Sequence, residues 1–100
     1  MRSRSVVLAP EAQDDLVSIY NHIAKLGGRA VADGYLDRLE QFLAGFDLAA
    51  ERGTLRNDVR PGLRVVGFER RIAIAFVVFD ETVEILRVFS GGQNWERSFS

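Results

Sequence analysis

The stretch Ile72-Ala73-Ile74-Ala75-Phe76-Val77-Val78-Phe79 is apolar at every position, and VEILRVF at residues 83–89 follows it after three polar residues. Apolar runs of this length, rich in β-branched and aromatic residues, are typical of strands. Successive side chains of a strand point to opposite faces, so the central strand predicted at 71–79 is apolar on both faces. The fold must therefore cover both sides of a sheet within a short chain.

The segments before this strand extend the sheet. Arg60-Pro61-Gly62-Leu63-Arg64 contains a Pro-Gly pair, which suits the two central positions of a turn. A strand is predicted at 63–68, and tight connections at 69–70 and 80–82 make the three strands antiparallel neighbours. The polar, aperiodic residues 52–60 are predicted to form a loop.

The first half of the chain predicts a short strand at 5–8 and two helices. Pro10 suits the first position of a helix, where its missing N–H costs nothing, and Gly27-Gly28 ends that helix. A second helix is predicted from about residue 30 to residue 50, antiparallel to the first because the connection is short. Gly34 within it should cost ~1 kcal/mol relative to alanine. Either close backbone approach to the first helix or simple tolerance explains this glycine.

Composition places the chain among ordinary globular proteins. Its 100 residues, 47% hydrophobic and 27% charged, predict one α+β domain over residues 1–100. The absence of cysteine excludes disulfides and thiolate metal sites, and it fits a reducing compartment. No apolar run approaches the roughly 20 residues of a membrane span. We therefore expect a cytoplasmic protein without a membrane contact.

Charge is divided unevenly along the chain. Residues 9–51 contain eight acidic residues against three basic ones, whereas residues 52–100 contain eight arginines against six acidic residues. Arginine suits bidentate contacts with carboxylates or phosphates. A solvated polar rim would give the same pattern. The net charge of -1 argues against strong direct binding to nucleic acid.

The second face of the central strand is a candidate partner-binding surface. The helical hairpin can cover only one face, and a contiguous apolar patch on a soluble monomer usually marks an interaction site. The alternative is internal cover, in which Trp95 and Phe99 fold back over small alanines. The open edge of a strand is another docking route. The candidate residues for partner binding are Ala73, Ala75, Val77, Phe79 and Phe89.

Arginines of the second half are candidates for binding an anion or a target. Arg87 attracts most interest because Ile85 and Phe89, its neighbours two residues away on either side, are apolar and place it in an apolar stripe. A buried arginine needs a carboxylate, carbonyl groups or an anion. Either it pairs with an acidic side chain such as Glu84 or Asp58, or it contacts a partner. The full candidate set is Arg64, Arg71, Arg87, Trp95 and Arg97.

Several of these features, taken in order, resemble the ParE branch of the ParE/RelE toxin superfamily. The resemblance runs from about Val6 to Trp95. It is carried by Leu8-Ala9-Pro10-Glu11-Ala12, Asp15-Leu16, Ile19-Tyr20, Tyr35-Leu36, Leu39, Arg60-Pro61-Gly62-Leu63-Arg64 and Ile85-Leu86-Arg87-Val88. No single piece is diagnostic, but the order and spacing together are fairly specific. The resemblance implies a β-α-α-β-β-β fold, with the first strand and a helical hairpin packed on a small antiparallel sheet.

The resemblance also implies a function and partners. It implies the toxin of a type II toxin–antitoxin pair, of the kind linked to plasmid stabilisation, that inhibits DNA gyrase by protein binding. A cognate antitoxin would neutralise it by wrapping the toxin with an extended segment and a helix, which would supply the missing cover. No cofactor or metal is implied.

The RelE branch, which cleaves messenger RNA on the ribosome, is the alternative. Cleavage without a metal needs acid–base groups beside a cation. His22 and Lys25 lie far in sequence from the sheet arginines, and residues 90–99 contain no tyrosine or histidine. Phe99 stands where such an enzyme would carry tyrosine, which leaves Glu69 and Glu96 as candidate bases. A third hypothesis is a non-toxic assembly module that dimerises through its open sheet face.

Overall fold

The computed structural model describes residues 3–91 and residue 99. A strand, a helical hairpin and four further strands follow one another along the chain. Their bounds are β1 Ser5–Leu8, α1 Pro10–Gly27, α2 Arg29–Ala44, β2 Thr54–Leu55, β3 Leu63–Phe68, β4 Ile72–Val78 and β5 Thr82–Ser90, with a short 3-10 turn Gly45–Asp47 after α2. The predicted α+β architecture is confirmed.

The five strands form one mixed sheet in the order β1-β5-β4-β3-β2. The antiparallel arrangement predicted for the last three strands is confirmed. The first strand lies parallel to the last, with Val6 opposite Val83, because the helical hairpin carries the chain back across the sheet. The two-residue β2, which pairs with Val65 and Arg64 of β3, lies inside a segment predicted to be a loop.

The second helix ends earlier than predicted, at Ala44 instead of near residue 50. Gly45 follows, and glycine is a poor helix former. The 3-10 turn that begins there places Phe46 in the core, fully buried, with its ring centroid 4.8 Å from that of Phe76. Packing of this aromatic pair on the sheet therefore fixes the end of the helical hairpin.

The apolar stripes of the two helices cover one face of the sheet. Pro10 occupies the start of α1, as predicted, and Gly28, with φ +90°, connects the two helices. The main core cluster joins the helices and the sheet through Ala12, Ile19, Tyr35, Leu36, Leu39, Leu43, Phe46, Phe68, Ile72, Ile74, Phe76, Val83, Ile85 and Val88. Ile72, Ile74 and Phe76 of β4, which alternate with the predicted partner-binding residues, thus face the helices, as the alternation of a strand predicts.

A second, smaller cluster lies on the other face of the sheet. It is built from Leu63, Ala75, Leu86 and Phe89, with Val59, Val65, Ala73, Val77 and Phe99 packed around it. The rings of Phe89 and Phe99 meet edge to face at 6.2 Å. Internal cover by Phe99, one of the two sequence-based alternatives, is therefore present on this face. Trp95, its proposed companion, lies outside the described residues.

A β-bulge in β5 divides its side chains between the two clusters. Ala75 pairs with Arg87 whereas Phe76 pairs with Ile85, so Leu86 is an extra residue in the strand. Ile85 consequently lies in the main core and Phe89 in the second cluster. The prediction that these two residues share one face with Arg87 is wrong, because the bulge breaks the alternation between them.

Space around Gly34 excludes one explanation for this glycine. Apart from the backbone of its own helix, a Cβ atom built there would meet only Nη1 of Arg38, one turn further along the same helix, at 3.8 Å. Close backbone approach to the first helix is therefore wrong, and the glycine is simply tolerated.

Substitution of Gly34 by alanine should stabilise the protein by about 0.4–1 kcal/mol, because alanine restricts the unfolded chain and fits the helix. Gly28→Ala is the matched control. Its added Cβ meets nothing within 4 Å, but φ is +90°, and this backbone region costs a side chain of the order of 1–3 kcal/mol. In urea unfolding, the two substitutions should therefore change the free energy of unfolding in opposite directions. Destabilisation by Gly34→Ala would contradict the assigned geometry.

Candidate functional site

At the edge of the sheet beside α1, β1 ends before its neighbour β5 does. Leu8 is the last paired residue of β1, opposite Ile85, and the N–H of Ala9 donates to the carbonyl oxygen of Ile85 at 2.9 Å. Beyond that point β5 continues to Ser90 without a neighbouring strand on this side among the described residues. The first turns of α1 lie there instead.

Asp15 of α1 binds this edge through its carboxylate. Its Oδ2 accepts hydrogen bonds from the N–H of Val88 at 2.8 Å and from Nε of Arg87 at 2.7 Å, and its Oδ1 accepts one from Nη2 of Arg87 at 2.9 Å. Charge-assisted, bidentate bonds of this kind are among the stronger ones in proteins. The carboxylate thus satisfies a backbone donor that a strand would otherwise bind.

Arg87 is held on both sides by this arrangement. Its guanidinium carbon lies 4.7 Å from the ring centroid of Phe89, and the hydrogen bonds to Asp15 raise the pKa of Arg87. The alternative of pairing with an acidic side chain of the same chain is confirmed, but the partner is Asp15 and not Glu84 or Asp58. Asp58 binds Arg56 in its own loop, at 2.8 Å. The partner of Arg87 is 72 residues away in sequence, and no local spacing signals such a contact.

The structure separates the predicted arginines instead of gathering them. Arg64 lies opposite Phe76 and Arg87 opposite Ala75, and these two β4 residues belong to clusters on opposite faces. Nη1 of Arg64 donates to the carbonyl oxygen of Arg52 at 3.4 Å. Arg71 is exposed and immediately precedes β4. The two remaining candidates, Trp95 and Arg97, lie outside the described residues.

Candidates for partner binding differ in how far the chain itself covers them. Ala75 and Phe89 are buried, whereas Ala73 and Val77 are half-buried. Phe79 follows the end of β4 and is 52% exposed. The exposed part of this candidate surface therefore lies near the β4–β5 connection.

A cavity of about 620 Å³ lies between α1, the start of α2 and the ends of β4 and β5. We call it the helix–sheet cavity. Its lining combines apolar and polar side chains: Asp15, Ser18, Ile19, His22, Ile23, Val31, Tyr35, Arg71, Ile72, Val88, Ser90 and Gly91. The fold thus brings His22 and Arg71 to one cavity although they are far apart in sequence. The sequence predicted neither the cavity nor Tyr35 as part of its lining.

Tyr35 carries an unsatisfied polar group in the lining of this cavity. Its hydroxyl is buried and has no hydrogen-bond partner in the described part of the chain. Burial raises the pKa of Tyr35, the charge of Glu69 raises it further, and Arg71 acts in the opposite direction. Buried polar groups of native proteins are usually paired, so this hydroxyl requires an explanation.

Glu69, a candidate base, is engaged in an ion pair. Its carboxylate accepts hydrogen bonds from Nε of Arg38 at 2.9 Å and from Nη2 at 3.3 Å. These bonds lower the pKa of Glu69. The other candidate base, Glu96, lies outside the described residues.

The described residues contain neither a metal-binding cluster nor a membrane-spanning helix. Residues 3–91 and 99 contain no group of three or more histidine, aspartate or glutamate side chains arranged to hold a metal ion. Within the same residues, neither helix has the length and apolarity needed to cross a membrane.

Comparison with known proteins gives a match over most of the chain. The family model described as the ParE toxin of the type II toxin-antitoxin system, parDE, matches residues 6–95. A solved structure of the chromosomal ParDE TA system from P. aeruginosa superposes with a TM-score of 0.77 at 26% sequence identity, covering 88% of this chain and 96% of that chain. No curated protein sequence matches the chain.

A double-mutant cycle with Asp15→Ala and Arg87→Ala should give a coupling free energy of about 1.5–3 kcal/mol, the range for hydrogen bonds to charged groups. The two side chains are only 15% and 29% exposed, so solvent screens them weakly. The measurement is the free energy of unfolding in urea for all four proteins. If the effects of the two substitutions on the free energy of unfolding are additive, Asp15 and Arg87 do not stabilise the protein as a pair.

The exposed pair of Arg38 and Glu69 is the control for this cycle. Its side chains are 56% and 39% exposed, so solvent screening should make its coupling much smaller. Because the pKa of Glu69 is lowered, any contribution of this pair is present at neutral pH. That contribution is lost as the pH falls through the lowered pKa.

Proposed function

Because this chain belongs to the ParE toxin family of type II toxin–antitoxin systems, we propose that it inhibits DNA gyrase by binding to it and that a cognate antitoxin neutralises it. The proposal rests on the match over residues 6–95 and on the likeness to the ParDE system of P. aeruginosa. Its place of action is the cytoplasm, where gyrase and its DNA are found. The proposed inhibition requires no cofactor.

The engagement of Arg87 favours binding over catalysis. A ribonuclease built on this sheet would need Arg87 to hold a phosphate beside an acid–base group. Here the guanidinium donates two hydrogen bonds to Asp15 and packs on Phe89. Releasing it would leave the partly buried Asp15 carboxylate without its cationic partner. This single observation is the structural argument for a toxin that acts through its surface.

The antitoxin contact is proposed at the exposed end of the second sheet face. Phe79 is half exposed, and Val77 beside it is half-buried. Apolar side chains at this level of exposure suit the centre of a protein–protein contact more than a solvated surface. Ala75 and Phe89 would then support the contact from below without touching the partner.

A messenger-RNA ribonuclease is the second candidate, and one observation favours it. His22 and Arg71 line the same cavity, and a histidine beside a cation is a pair that phosphate-ester cleavage can use. The other acid–base groups of this lining are not accessible in the described residues: Asp15 binds Arg87, and the hydroxyl of Tyr35, although unpaired, is buried.

Induced expression in a bacterial host tests the two candidates together. The readouts are a DNA-damage reporter, cell length and transcript ends mapped from the same culture. We expect damage signalling and filamentation with intact transcripts, and we expect His22→Ala to leave them unchanged. Codon-phased transcript cleavage that His22→Ala or Arg71→Ala abolishes would replace the gyrase proposal with the ribonuclease. A host that grows normally, with folded protein present, would refute both.

A further inference from the structure

Basic side chains gather at one end of the molecule, where the connection between the helices lies beside the turn between β3 and β4. Lys25 is in the last turn of α1 and Arg29 is the first residue of α2, while Arg70 and Arg71 connect β3 to β4. All four side chains are exposed. Val31 of α2 and Arg71 line the same cavity, which brings the two segments together. We call these four basic residues the basic end.

The acidic side chains nearest to the basic end in sequence leave its charge in place. Glu69 accepts hydrogen bonds from Arg38, and these bonds and the charge of Arg71 lower the pKa of Glu69. Asp33 accepts a hydrogen bond from the hydroxyl of Tyr20 at 2.8 Å. In the described part of the chain, no carboxylate forms an ion pair with a residue of the basic end. Positive charge is therefore concentrated here, in a chain whose net charge is -1.

Arg29 occupies a position where a helix favours the opposite charge. The first turn of a helix carries partial positive charge, and acidic residues and capping side chains stabilise it. Here the N-cap is Gly28, which has no side chain to cap the helix, and the first turn of α2 contains no acidic residue. The start of α2 is therefore less stable than a cap or an acidic residue would make it.

Arg70 occupies a backbone conformation that favours glycine. The N–H of Arg71 donates to the carbonyl oxygen of Phe68 at 3.2 Å, which closes a tight turn around Glu69 and Arg70. Both of these residues have positive φ, +48° and +62°, a pattern that belongs to type I′ turns and favours glycine at the second position. Two of the four basic residues thus stand where local preferences disfavour them, and such conflicts are expected at functional sites.

We propose that the basic end binds the phosphate backbone of the DNA that gyrase holds. The inference rests on the proposed function, because gyrase supplies the DNA. Exposed lysine and arginine side chains contact phosphates without reading the base sequence. The net charge of -1 makes binding to free DNA weak, so the contact forms only when gyrase has brought the chain and the DNA together. The bound chain then contacts both the enzyme and its substrate.

The affinity of the chain for gyrase with and without DNA is the direct test. The Kd is measured by calorimetry for purified gyrase alone and for gyrase saturated with a linear DNA duplex, at the same salt concentration. The wild-type chain should bind the gyrase–DNA complex about tenfold more tightly than gyrase alone, since each phosphate contact adds affinity. We call this ratio the DNA-dependent gain.

Arg29→Glu and Arg70→Gly test the two residues that local preferences disfavour. Each should reduce the DNA-dependent gain by about two- to fivefold and leave the Kd for gyrase alone unchanged. Neither should lower the Tm of the free chain, because the first places an acidic residue at a helix N-terminus and the second places glycine at a positive φ. A reduced gain with an undiminished Tm cannot come from unfolding. A lower Tm for both would show that these arginines stabilise the fold, and would overturn the argument from local preference.

Arg60 offers the matched controls. It is exposed and precedes β3, whereas Arg70 and Arg71 follow that strand. Arg60→Glu and Arg60→Gly therefore make the same changes in charge at the opposite end of the strand. Both should leave the DNA-dependent gain unchanged.

The outcomes distinguish this inference from the function on which it rests. If the wild-type chain binds gyrase neither with nor without DNA, the proposed function and the inference fail together. If it binds both forms equally, gyrase stands as the partner and the DNA contact is refuted. If Arg29→Glu and Arg70→Gly weaken binding to gyrase alone, the basic end contacts protein. If the Arg60 variants reduce the gain equally, the attraction is diffuse, and either of these last results overturns the proposal.

Discussion

The carboxylate of Asp15 holds the sheet to the helical hairpin at the point where β1 ends. It accepts hydrogen bonds from the N–H of Val88 and from two nitrogens of Arg87, so a single side chain satisfies a backbone donor at the open edge of β5 and neutralises the arginine beside it. A partly buried arginine without this partner would be costly. The bulge at Leu86, the side chain of Arg87 and the first turns of α1 all lie at this contact.

This constraint explains how a short chain covers both faces of its sheet. The helices pack on one face, and the bulge turns Leu86 and Phe89 to the other, where Phe99 and Val59 join them. Asp15 lies at the boundary between the two clusters, because it comes from the helical layer but binds the segment of β5 that changes face. The second face is therefore partly covered from within, and its exposed part lies near Phe79.

Local patterns predicted most of the fold. Alternation in residues 72–79 identified the helix-facing residues of β4, the Pro-Gly pair preceded β3, and Pro10 and Gly28 marked the ends of α1. The errors arose where tertiary contacts, and not local patterns, determine the structure. The bulge has no local signal because Leu86 is as apolar as its neighbours, and the partner of Arg87 is 72 residues away. The helix–sheet cavity, which joins His22, Tyr35 and Arg71, depends on packing of four elements that no sequence spacing reveals.

Because Arg87 is bound to Asp15 of its own chain, this toxin should act by binding its target and not by cleaving RNA. The most direct measurement incubates the purified protein with gyrase and supercoiled plasmid in one reaction, and with ribosomes translating a defined messenger RNA in another. The account predicts that linear plasmid DNA appears in the first reaction once the gyrase has been digested with a protease. In the second reaction the messenger RNA should stay intact. Cleaved messenger RNA with unaffected gyrase would contradict it, and would mean that Asp15 releases Arg87 on the ribosome.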